Sequence, residues 1–255
     1  MTTSNPNGSI ITTIENKIAT LEFGHPASNS FPADLLHRLT EELNSLSDNP
    51  HVLVIIIRSS GTGVFCAGAS FDELLAVSNL EEATTFFSGF ANVLNAMRNC
   101  SKIIVGRIHG KAVGGGVGIA AACDYTFASS ESAIKLSELA IGIGPFVIEP
   151  VLSRKIGKGA LSEMALAAHE WKTAAWANQK GLYAKVFETT TELDTEIMAF
   201  ANKLACYNPE ALFEIKKVLW EGTENWSTLL YERAQISGQL VLSDFSKNTL
   251  HSFKK

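Results

Sequence analysis

The sequence predicts an α/β fold in which buried parallel strands alternate with amphipathic helices, followed by a helical C-terminal part. Residues 51–60, HVLVIIIRSS, form a continuous apolar run rich in β-branched residues, which is typical of a strand covered on both faces. The preceding residues 31–50 carry leucines at helical spacing, and the same helix-then-strand order recurs in residues 80–110. From residue 147 onward the pattern is mostly helical.

The composition is that of an ordinary globular protein. The chain has 255 residues, 46% of them hydrophobic, which is enough for one large domain or for a domain with an appendage. A formal net charge of -5 gives no basic footprint for nucleic acid. No apolar run approaches the roughly 18 residues of a membrane span, and the polar start MTTSNPNGS does not resemble an export signal.

The cysteines indicate a reducing compartment. Cys66, Cys100, Cys123 and Cys206 lie far apart, without the spacing of a disulfide framework or of a zinc site. We therefore expect a cytoplasmic protein that binds no metal.

The first part of the chain is predicted to form a hairpin, a helix and a buried strand. Residues 9–23, SIITTIENKIATLEF, combine β-branched residues with two-residue alternation around a Glu-Asn-Lys turn, which indicates a hairpin. The helix that follows ends at Asn49-Pro50. After the buried strand, the glycine-containing residues 61–70 are expected to form a loop.

The middle of the chain is predicted to continue the alternation. Residues 115–124, GGVGIAAACD, are expected to form a helix of small residues that begins near Gly116. Residues 125–139 have strand character, with Glu138 at the end of the strand, and residues 140–145 are expected to form a turn.

The C-terminal part is predicted to be a helical portion, residues 191–255, that follows an α/β core in residues 1–190. No low-complexity linker separates the two. The apolar residues of this portion that a core with its own helices need not absorb are Leu219, Trp220, Trp226, Leu229, Leu230, Leu240 and Val241. Apolar surface of this kind usually finds a partner, so we expect self-association.

Two glycine-containing loops that follow predicted strands are the candidate site. They are GTGVFCAGAS, residues 61–70, and KAVGGGVGIAAACD, residues 111–124. Glycine has no Cβ, so a backbone N–H can approach a bound group closely, and a helix beginning near Gly116 would add a dipole that favours negative charge. The glycines therefore indicate either space for an anion or a tight turn between a strand and a helix.

Five segments together resemble the crotonase superfamily, also called the enoyl-CoA hydratase/isomerase family. They are VFCAGASFDEL, GKAVGGGVGIAAACD, AIKLSELAIGIGP, GLYAKVF and NPEALFEIKKVL. The resemblance implies a spiral of ββα units whose C-terminal helices assemble trimers or dimers of trimers. It also implies an acyl-CoA thioester substrate and no cofactor, since coenzyme A is part of the substrate.

The resemblance assigns roles to residues of both loops. The family forms an enolate from the thioester and holds it with two backbone N–H groups, which fall at Ala69 and Gly115 of this sequence. Losing one such donor typically raises a barrier by roughly 2.7–4 kcal/mol. The residues that the resemblance implies for substrate binding are Ala67, Gly68, Gly114, Pro145 and Phe146.

One acid of the family pattern is present and one is absent. Family hydratases use two glutamates to activate water, and here the later position is Glu138, whereas the earlier position is Gly118. Phe146 also stands where many hydratases have a glycine. An isomerase needs a single carboxylate that moves a proton between C2 and C4 of the acyl chain. The expected function is therefore double-bond isomerisation of an enoyl-CoA, with Glu138 as acid and base.

Two alternatives stay open. Pro145 and Pro150 have the spacing seen in some 3-methylglutaconyl-CoA hydratases, and Glu149 could replace the missing acid or could be a charge at a helix N-terminus. A chain without the first acid could also be a noncatalytic acyl-CoA binding protein.

Five other polar residues have less specific expectations. Ser70 is expected to cap a helix, Asp124 to make structural hydrogen bonds, and His109 to be a hydrogen-bonded core imidazole. Lys216 and Lys217 are expected either to reach coenzyme A phosphates or to lie on a solvated helix face.

Overall fold

The fold is built around a six-stranded sheet accompanied by a three-stranded sheet. The computed structural model describes residues 7–252. The strands of this part are β1 (Ser9–Glu15), β2 (Ile18–Gly24), β3 (Val54–Ser59), β4 (Ile103–Ile108), β5 (Ala112–Val113), β6 (Tyr125–Ser129), β7 (Ala133–Lys135), β8 (Lys172–Thr173) and β9 (Lys185–Phe187). Their order is β1-β2-β3-β4-β6-β9 in the six-stranded sheet and β5-β7-β8 in the three-stranded sheet.

Helices cover the sheet and form most of the C-terminal part, as the sequence predicts. They are α1 (Ala33–Asp48), α2 (Phe71–Ala76), α3 (Leu80–Asn99), α4 (Gly115–Ala122), α5 (Glu149–Leu166), α6 (Ala174–Gln179), α7 (Thr190–Ala205), α8 (Pro209–Leu219), α9 (Trp226–Val241) and α10 (Asp244–Ser252). Within residues 7–252, no helix has both the length and the apolar character that crossing a membrane requires. The prediction for the polar start MTTSNPNGS concerns residues that lie largely outside the described part.

The predicted hairpin is confirmed. β1 and β2 pair antiparallel, with Glu15 opposite Ile18. The two residues between them, Asn16 and Lys17, have φ of 51° and 65°, the conformation that a two-residue turn with the twist of a hairpin requires. β2, β3, β4, β6 and β9 then pair parallel, so each connection between them must cross over the sheet.

The main sheet is buried on both faces. On one face lie the leucines of α1, together with Leu21, Ile55 and Ile57. On the other face, Leu193 and Ile197 of α7 belong to a second apolar cluster. Residues 54–57 of β3 alternate between these two clusters, which explains why this part of the strand is apolar at every position rather than at every second one.

The predicted single strand over residues 125–139 is wrong, because the segment forms two strands in different sheets. The break comes at the serines after β6. Ser129 Oγ donates to the carbonyl of His109, and Ser132 Oγ donates to the carbonyl of Ile108, so buried hydroxyl groups stabilise a turn there. Glu138 does not end a strand but begins a short 3₁₀ helix that runs to Ile141.

The predicted set of uncovered C-terminal apolar residues is only partly right. Trp220, Trp226, Leu230 and Val241 are buried within the chain's own core, where α9 lies along α3. Apolar side chains that do remain exposed on the C-terminal helices are Phe213, Ile215, Val218, Leu219, Tyr231, Leu240 and Phe245. The division of the chain at residue 190 stays a prediction.

Candidate active site

The two glycine-containing loops lie side by side and are hydrogen-bonded to each other. The N–H of Val113 donates to the carbonyl of Cys66 at 2.9 Å, and the N–H of Cys66 donates to the carbonyl of Lys111 at 3.2 Å. A Cβ on Gly68, whose φ is +89°, would lie 2.9 Å from the carbonyl oxygen of Val113. Glycine at 68 is therefore required both by its backbone conformation and by the close approach of the second loop.

The N–H groups of Ala69 and Gly115 have no hydrogen-bond acceptor within residues 7–252. Gly115 is the first residue of α4, so its N–H has no acceptor inside that helix. The carbonyl of Ala69's neighbour Gly68 accepts from the N–H of Phe31, which holds the first loop against the strand-like segment before α1. Each loop thus presents one free backbone donor beside the same cavity.

Gly115 is packed against an aromatic ring. A Cβ at this position would lie 2.2 Å from Cε1 of Phe90, which is closer than atoms can approach. A larger residue at 115 would therefore disturb the packing of α3 as well as the candidate donor.

Glu138 lies directly against the glycine turn. A Cβ on Gly114 would be 2.6 Å from Glu138 Oε1, and Gly114 has φ 52° and ψ -119°, a conformation that favours glycine. Glu138 Oε2 is buried and has no hydrogen-bond partner among the described residues. Burial raises the pKa of Glu138 to about 7, although a hydrogen bond from its own backbone lowers the pKa in part.

A cavity of about 460 Å³ joins these groups. The residues that the sequence predicts for the site and that line this cavity are Ala67, Gly68, Ala69, Gly114, Gly115, Glu138, Pro145 and Phe146. Most other lining residues are apolar, including Phe87, Phe90 and Ile143. Among residues 7–252, Glu138 is the single carboxylate in this lining, so the cavity suits an apolar chain with one carboxylate beside it.

The space beside Gly118 is filled by Ile148. A Cβ on Gly118 would lie 2.4 Å from Ile148 Cγ2 and 2.9 Å from Ile148 Cβ. Ile148 is buried and itself lines the cavity. The side chain of Ile148 therefore fills the space beside the position where the family pattern has its first glutamate. A side chain on residue 118 does not fit there without rearrangement.

Glu149 lies at the start of α5 and is not part of the cavity lining. Its Oε1 accepts a hydrogen bond from Ser153 at 2.6 Å, and its Oε2 lies 3.8 Å from Arg233. These contacts are those of a carboxylate at a helix N-terminus, the second of the two interpretations that the sequence leaves open.

Asp124 is a structural acid, as predicted, and Lys216 is its partner. Asp124 Oδ2 lies 2.7 Å from Lys216 Nζ and accepts from the N–H of Ile104, while Asp124 Oδ1 accepts from Trp220 Nε1. Both charged side chains are 3% exposed. Lys216 is thus neither a phosphate ligand nor on a solvated face, and both expectations for it are wrong, because its distant partner is not visible in the local sequence.

The structure confirms the expectation for Ser70 and the second of the two expectations for Lys217, and it contradicts the expectation for His109. Ser70 caps α2, since its side chain accepts from the N–H of Glu73. Lys217 lies on an exposed face and pairs with Glu214. His109 is buried, but neither ring nitrogen has a partner within the described residues, so the expectation of a hydrogen-bonded imidazole is wrong. Burial lowers its pKa to about 4, so the ring is neutral at physiological pH.

The sequence interpretation missed residues that shape the cavity from other segments. Phe90 and Ile148 were not assigned to the site, and Lys135, which lines the cavity three residues before Glu138, was not singled out. Apolar periodicity places Phe90 and Ile148 in a core without distinguishing core from cavity wall. For Lys135, its position close to a candidate catalytic residue was the available signal.

The fold is crotonase-like, and its cavity brings two free backbone donors beside one buried carboxylate, the arrangement of a candidate enzyme active site. The family model described as Enoyl-CoA hydratase/isomerase matches residues 13–254, and the chain belongs to that family.

Individual relatives are distant in sequence. A short-chain-enoyl-CoA hydratase of Clostridium acetobutylicum is 27% identical over 242 residues, which cover 94% of this chain and 92% of that protein. A peroxisomal Delta(3,5)-Delta(2,4)-dienoyl-CoA isomerase of Arabidopsis thaliana is 27% identical, covering 77% of this chain and 74% of its own. The human mitochondrial methylglutaconyl-CoA hydratase is 30% identical, covering 77% of this chain and 58% of its own.

The crystal structure of an enoyl-CoA hydratase from Bacillus halodurans has the same fold. It superposes with a TM-score of 0.89 at 21% identity, covering 95% of this chain and 99% of that one.

Proposed function

We propose that this enzyme moves the double bond of an enoyl-CoA thioester, with Glu138 as the acid and base. The observation that carries the proposal is the carboxylate of Glu138, whose Oε2 is buried without a hydrogen-bond partner and which is the single carboxylate lining the cavity within residues 7–252. It lies next to the turn that supplies one of the two free N–H groups. One base beside an oxyanion site is sufficient to move a proton along an acyl chain, whereas adding water requires a group that holds and activates the water.

The reaction would proceed through a dienolate. The thioester oxygen accepts hydrogen bonds from the N–H groups of Ala69 and Gly115. Glu138 removes a proton from C2 of a 3-enoyl thioester, and the electron pair moves into the carbonyl, so negative charge develops on the oxygen between the two donors. Glu138 then returns the proton to C4 as the double bond shifts to C2–C3. No cofactor takes part beyond the coenzyme A of the substrate.

The protonation behaviour of Glu138 suits this cycle. Burial raises its pKa to about 7, so near neutral pH both the basic and the acidic forms are accessible. A base whose pKa lies near the working pH is favoured for proton transfer in both directions.

Hydration is the second candidate function. Relatives at 27–30% identity include proteins named as short-chain-enoyl-CoA and methylglutaconyl-CoA hydratases. For hydration, a second acid such as Glu149 would have to leave its contact with Ser153 and enter the cavity.

A reaction in deuterated water distinguishes these functions. We expect a 3-enoyl-CoA to become a 2-enoyl-CoA, with deuterium entering at C2 or C4 and no gain of water in the mass spectrum. A 3-hydroxyacyl product formed from a 2-enoyl-CoA, and lost on Glu149→Gln, would establish hydration instead. Thioester binding without turnover of any enoyl-CoA would support the noncatalytic alternative.

We also propose that the chain assembles as a homotrimer or a dimer of trimers through its helical portion, residues 191–255. The support is the exposed apolar surface of α8, where Phe213, Ile215, Val218 and Leu219 are each more than 40% exposed. Light scattering is expected to give a multiple of three times the chain mass of 27.5 kDa. A monomer at micromolar concentration would contradict this assembly. The four free cysteines, three of them buried, support a reducing compartment such as the cytoplasm.

A further inference from the structure

Two lysines converge on one tryptophan at the edge of the candidate active site. Lys135 Nζ lies 4.6 Å and Lys111 Nζ 5.1 Å from the centroid of the Trp171 ring. The three-stranded sheet brings them together, because Val113 pairs with Lys135 and Ile134 pairs with Lys172, which brings the residue before β8 close to Lys135. We call the group formed by Lys111, Lys135 and Trp171 the lysine–tryptophan cluster.

The two lysines of the cluster carry positive charge, and neither forms an ion pair with another of the described residues. Within residues 7–252, neither Lys111 Nζ nor Lys135 Nζ makes an ion pair or a hydrogen bond. The neighbouring Lys172, in contrast, pairs with two glutamates. The ring face attracts both ammonium groups, but two like charges near each other repel unless an anion lies between them. Trp171 is 41% exposed, so a ligand can reach the cluster.

One member of the cluster, Lys135, adjoins the groups of the proposed reaction, while Lys111 and Trp171 lie outside the cavity lining. Lys135 lines the same cavity as Glu138, and its carbonyl accepts from the N–H of Gly114 at 2.9 Å. The segment before Trp171 contributes Ala168 and His169 to the cavity lining. The ammonium group of Lys135 therefore lies about one lysine side chain, roughly 6 Å, beyond the backbone that flanks the oxyanion turn.

Distance favours the acyl end of the ligand over its coenzyme A end. Six carbons of an extended acyl chain reach roughly 6 Å from the thioester carbon, whereas the first phosphate of coenzyme A follows an arm of roughly 17 Å when extended. An anion that meets Lys135 inside the cavity is therefore better supplied by a short acyl chain.

We propose that the lysine–tryptophan cluster binds a carboxylate at the far end of a short acyl chain, so that the enzyme prefers thioesters of dicarboxylic acids. This inference rests on the proposed function in so far as the ligand is an acyl-CoA. Lysine ammonium groups bind carboxylates as point charges, and Trp171 keeps both near the position that the carboxylate occupies.

Two saturated ligands test the cluster without requiring turnover. Adipyl-CoA and hexanoyl-CoA have the same chain length and differ in a terminal carboxylate. Calorimetry at low salt is expected to give a dissociation constant about fivefold lower for adipyl-CoA, the effect of one or two partly exposed ion pairs. The preference should diminish in about 0.5 M salt, because charges a few ångströms apart are strongly screened at that concentration.

Substitutions identify the residues that cause the preference. The double variant Lys111→Met/Lys135→Met is expected to lose the preference, while Lys135→Arg retains part of it. Lys180→Met is the matched control, because Lys180 also lies over a tryptophan ring, 5.9 Å from the centroid of Trp176, but does not line the cavity. That control should bind both ligands as the wild type does.

Two results would overturn the proposal. One is equal binding of both ligands by the wild type. The other is an equal loss of binding for both ligands in the double variant, restored to parity with the wild type when acyl-pantetheines replace the CoA thioesters, since the anion would then be a coenzyme A phosphate. A lysine-dependent preference in a protein that isomerises no enoyl-CoA would support the cluster and refute the proposed reaction.

Discussion

Replacing Glu138 with glutamine should remove turnover and at the same time stabilise the folded protein at alkaline pH. The amide preserves the shape of the side chain but cannot accept a proton, so catalysis by this group is lost. Stability should increase because the wild-type carboxylate is buried with Oε2 unpartnered. Its charged form is therefore disfavoured in the folded state, and glutamine carries no charge.

The size of the expected gain in stability follows from the pKa of Glu138. Burial raises this pKa from an ordinary value of 4.5 to about 7, and each pKa unit corresponds to about 1.4 kcal/mol. The penalty is at most about 3.5 kcal/mol, and closer to about 1–2 kcal/mol because the residue as a whole is only partly buried. For a chain of this size, each kcal/mol corresponds to about 2–4 °C in melting temperature.

Whether the stability of the wild type rises or falls with pH depends on which state of the chain, folded or unfolded, holds the proton on Glu138. Between pH 4.5 and about 7 the folded wild type keeps a proton on Glu138 that the unfolded chain has released. Wild-type stability therefore falls as the pH rises through this window, relative to the glutamine variant. The two proteins should have the same melting temperature near pH 4.5, and the variant should have the higher melting temperature at pH 8.

The measurements are thermal unfolding at both pH values, turnover of an enoyl-CoA, and calorimetric binding of a saturated acyl-CoA. Glu149→Gln is the matched control, because Glu149 bonds to Ser153 outside the cavity and its substitution should neither raise stability at pH 8 nor reduce turnover. A Glu138→Gln variant that melts no higher than wild type at pH 8 would refute the burial argument. Residual turnover above about 1% would mean that another group acts as the base.

Two further predictions concern side chains that support the site. Lys216→Met should cost about 3–5 kcal/mol in the free energy of unfolding, since it leaves the buried Asp124 unpaired. Lys217→Met, on the exposed face next to it, should change the free energy of unfolding by less than about 1 kcal/mol. If denaturant titrations gave similar losses of stability for the two variants, the ion-pair argument would be contradicted. Gly114→Ala should lower turnover about 100-fold, because its Cβ would displace the carboxylate of Glu138, the proposed base. Gly157→Ala, at a similar positive φ with no neighbouring atom within 4 Å, should share the backbone strain but retain activity, and equal activities of the two variants would show that displacement is not the cause.

Local sequence patterns predicted the elements whose stability is local. The hairpin is recognisable because its turn residues and the alternation of its strands lie within sixteen consecutive positions. The buried strand β3 is recognisable because both of its faces meet apolar partners, whichever helices supply them. The glycine-containing loops of the candidate site are recognisable from their residues alone, whereas the roles of Ala69, Gly115 and Glu138 follow from a family resemblance that covers several separate segments.

Features that depend on distant contacts could not be predicted in this way. Lys216 reads as a surface residue of an amphipathic helix, and only the fold brings Asp124 within 2.7 Å of it. Trp220 was expected to be uncovered, but its indole N–H donates to the same carboxylate. The end of β6 could not be predicted because the carbonyls that accept from Ser129 and Ser132 lie at and just after the end of an earlier strand.

The absence of an acid at Gly118 is more than the loss of one side chain. Ile148 occupies the space that a glutamate at 118 would need, with its Cγ2 2.4 Å from the position of a Cβ there. Restoring an acid therefore requires at least two coordinated changes, since a larger residue at 118 alone would overpack a buried contact. Glu149 is adjacent to Ile148 in the sequence, but the start of a helix directs its carboxylate to Ser153 and Arg233. The packing thus favours a chemistry that works with one carboxylate, and among the reactions of an enolate in this cavity, transfer of a proton along the acyl chain has that requirement.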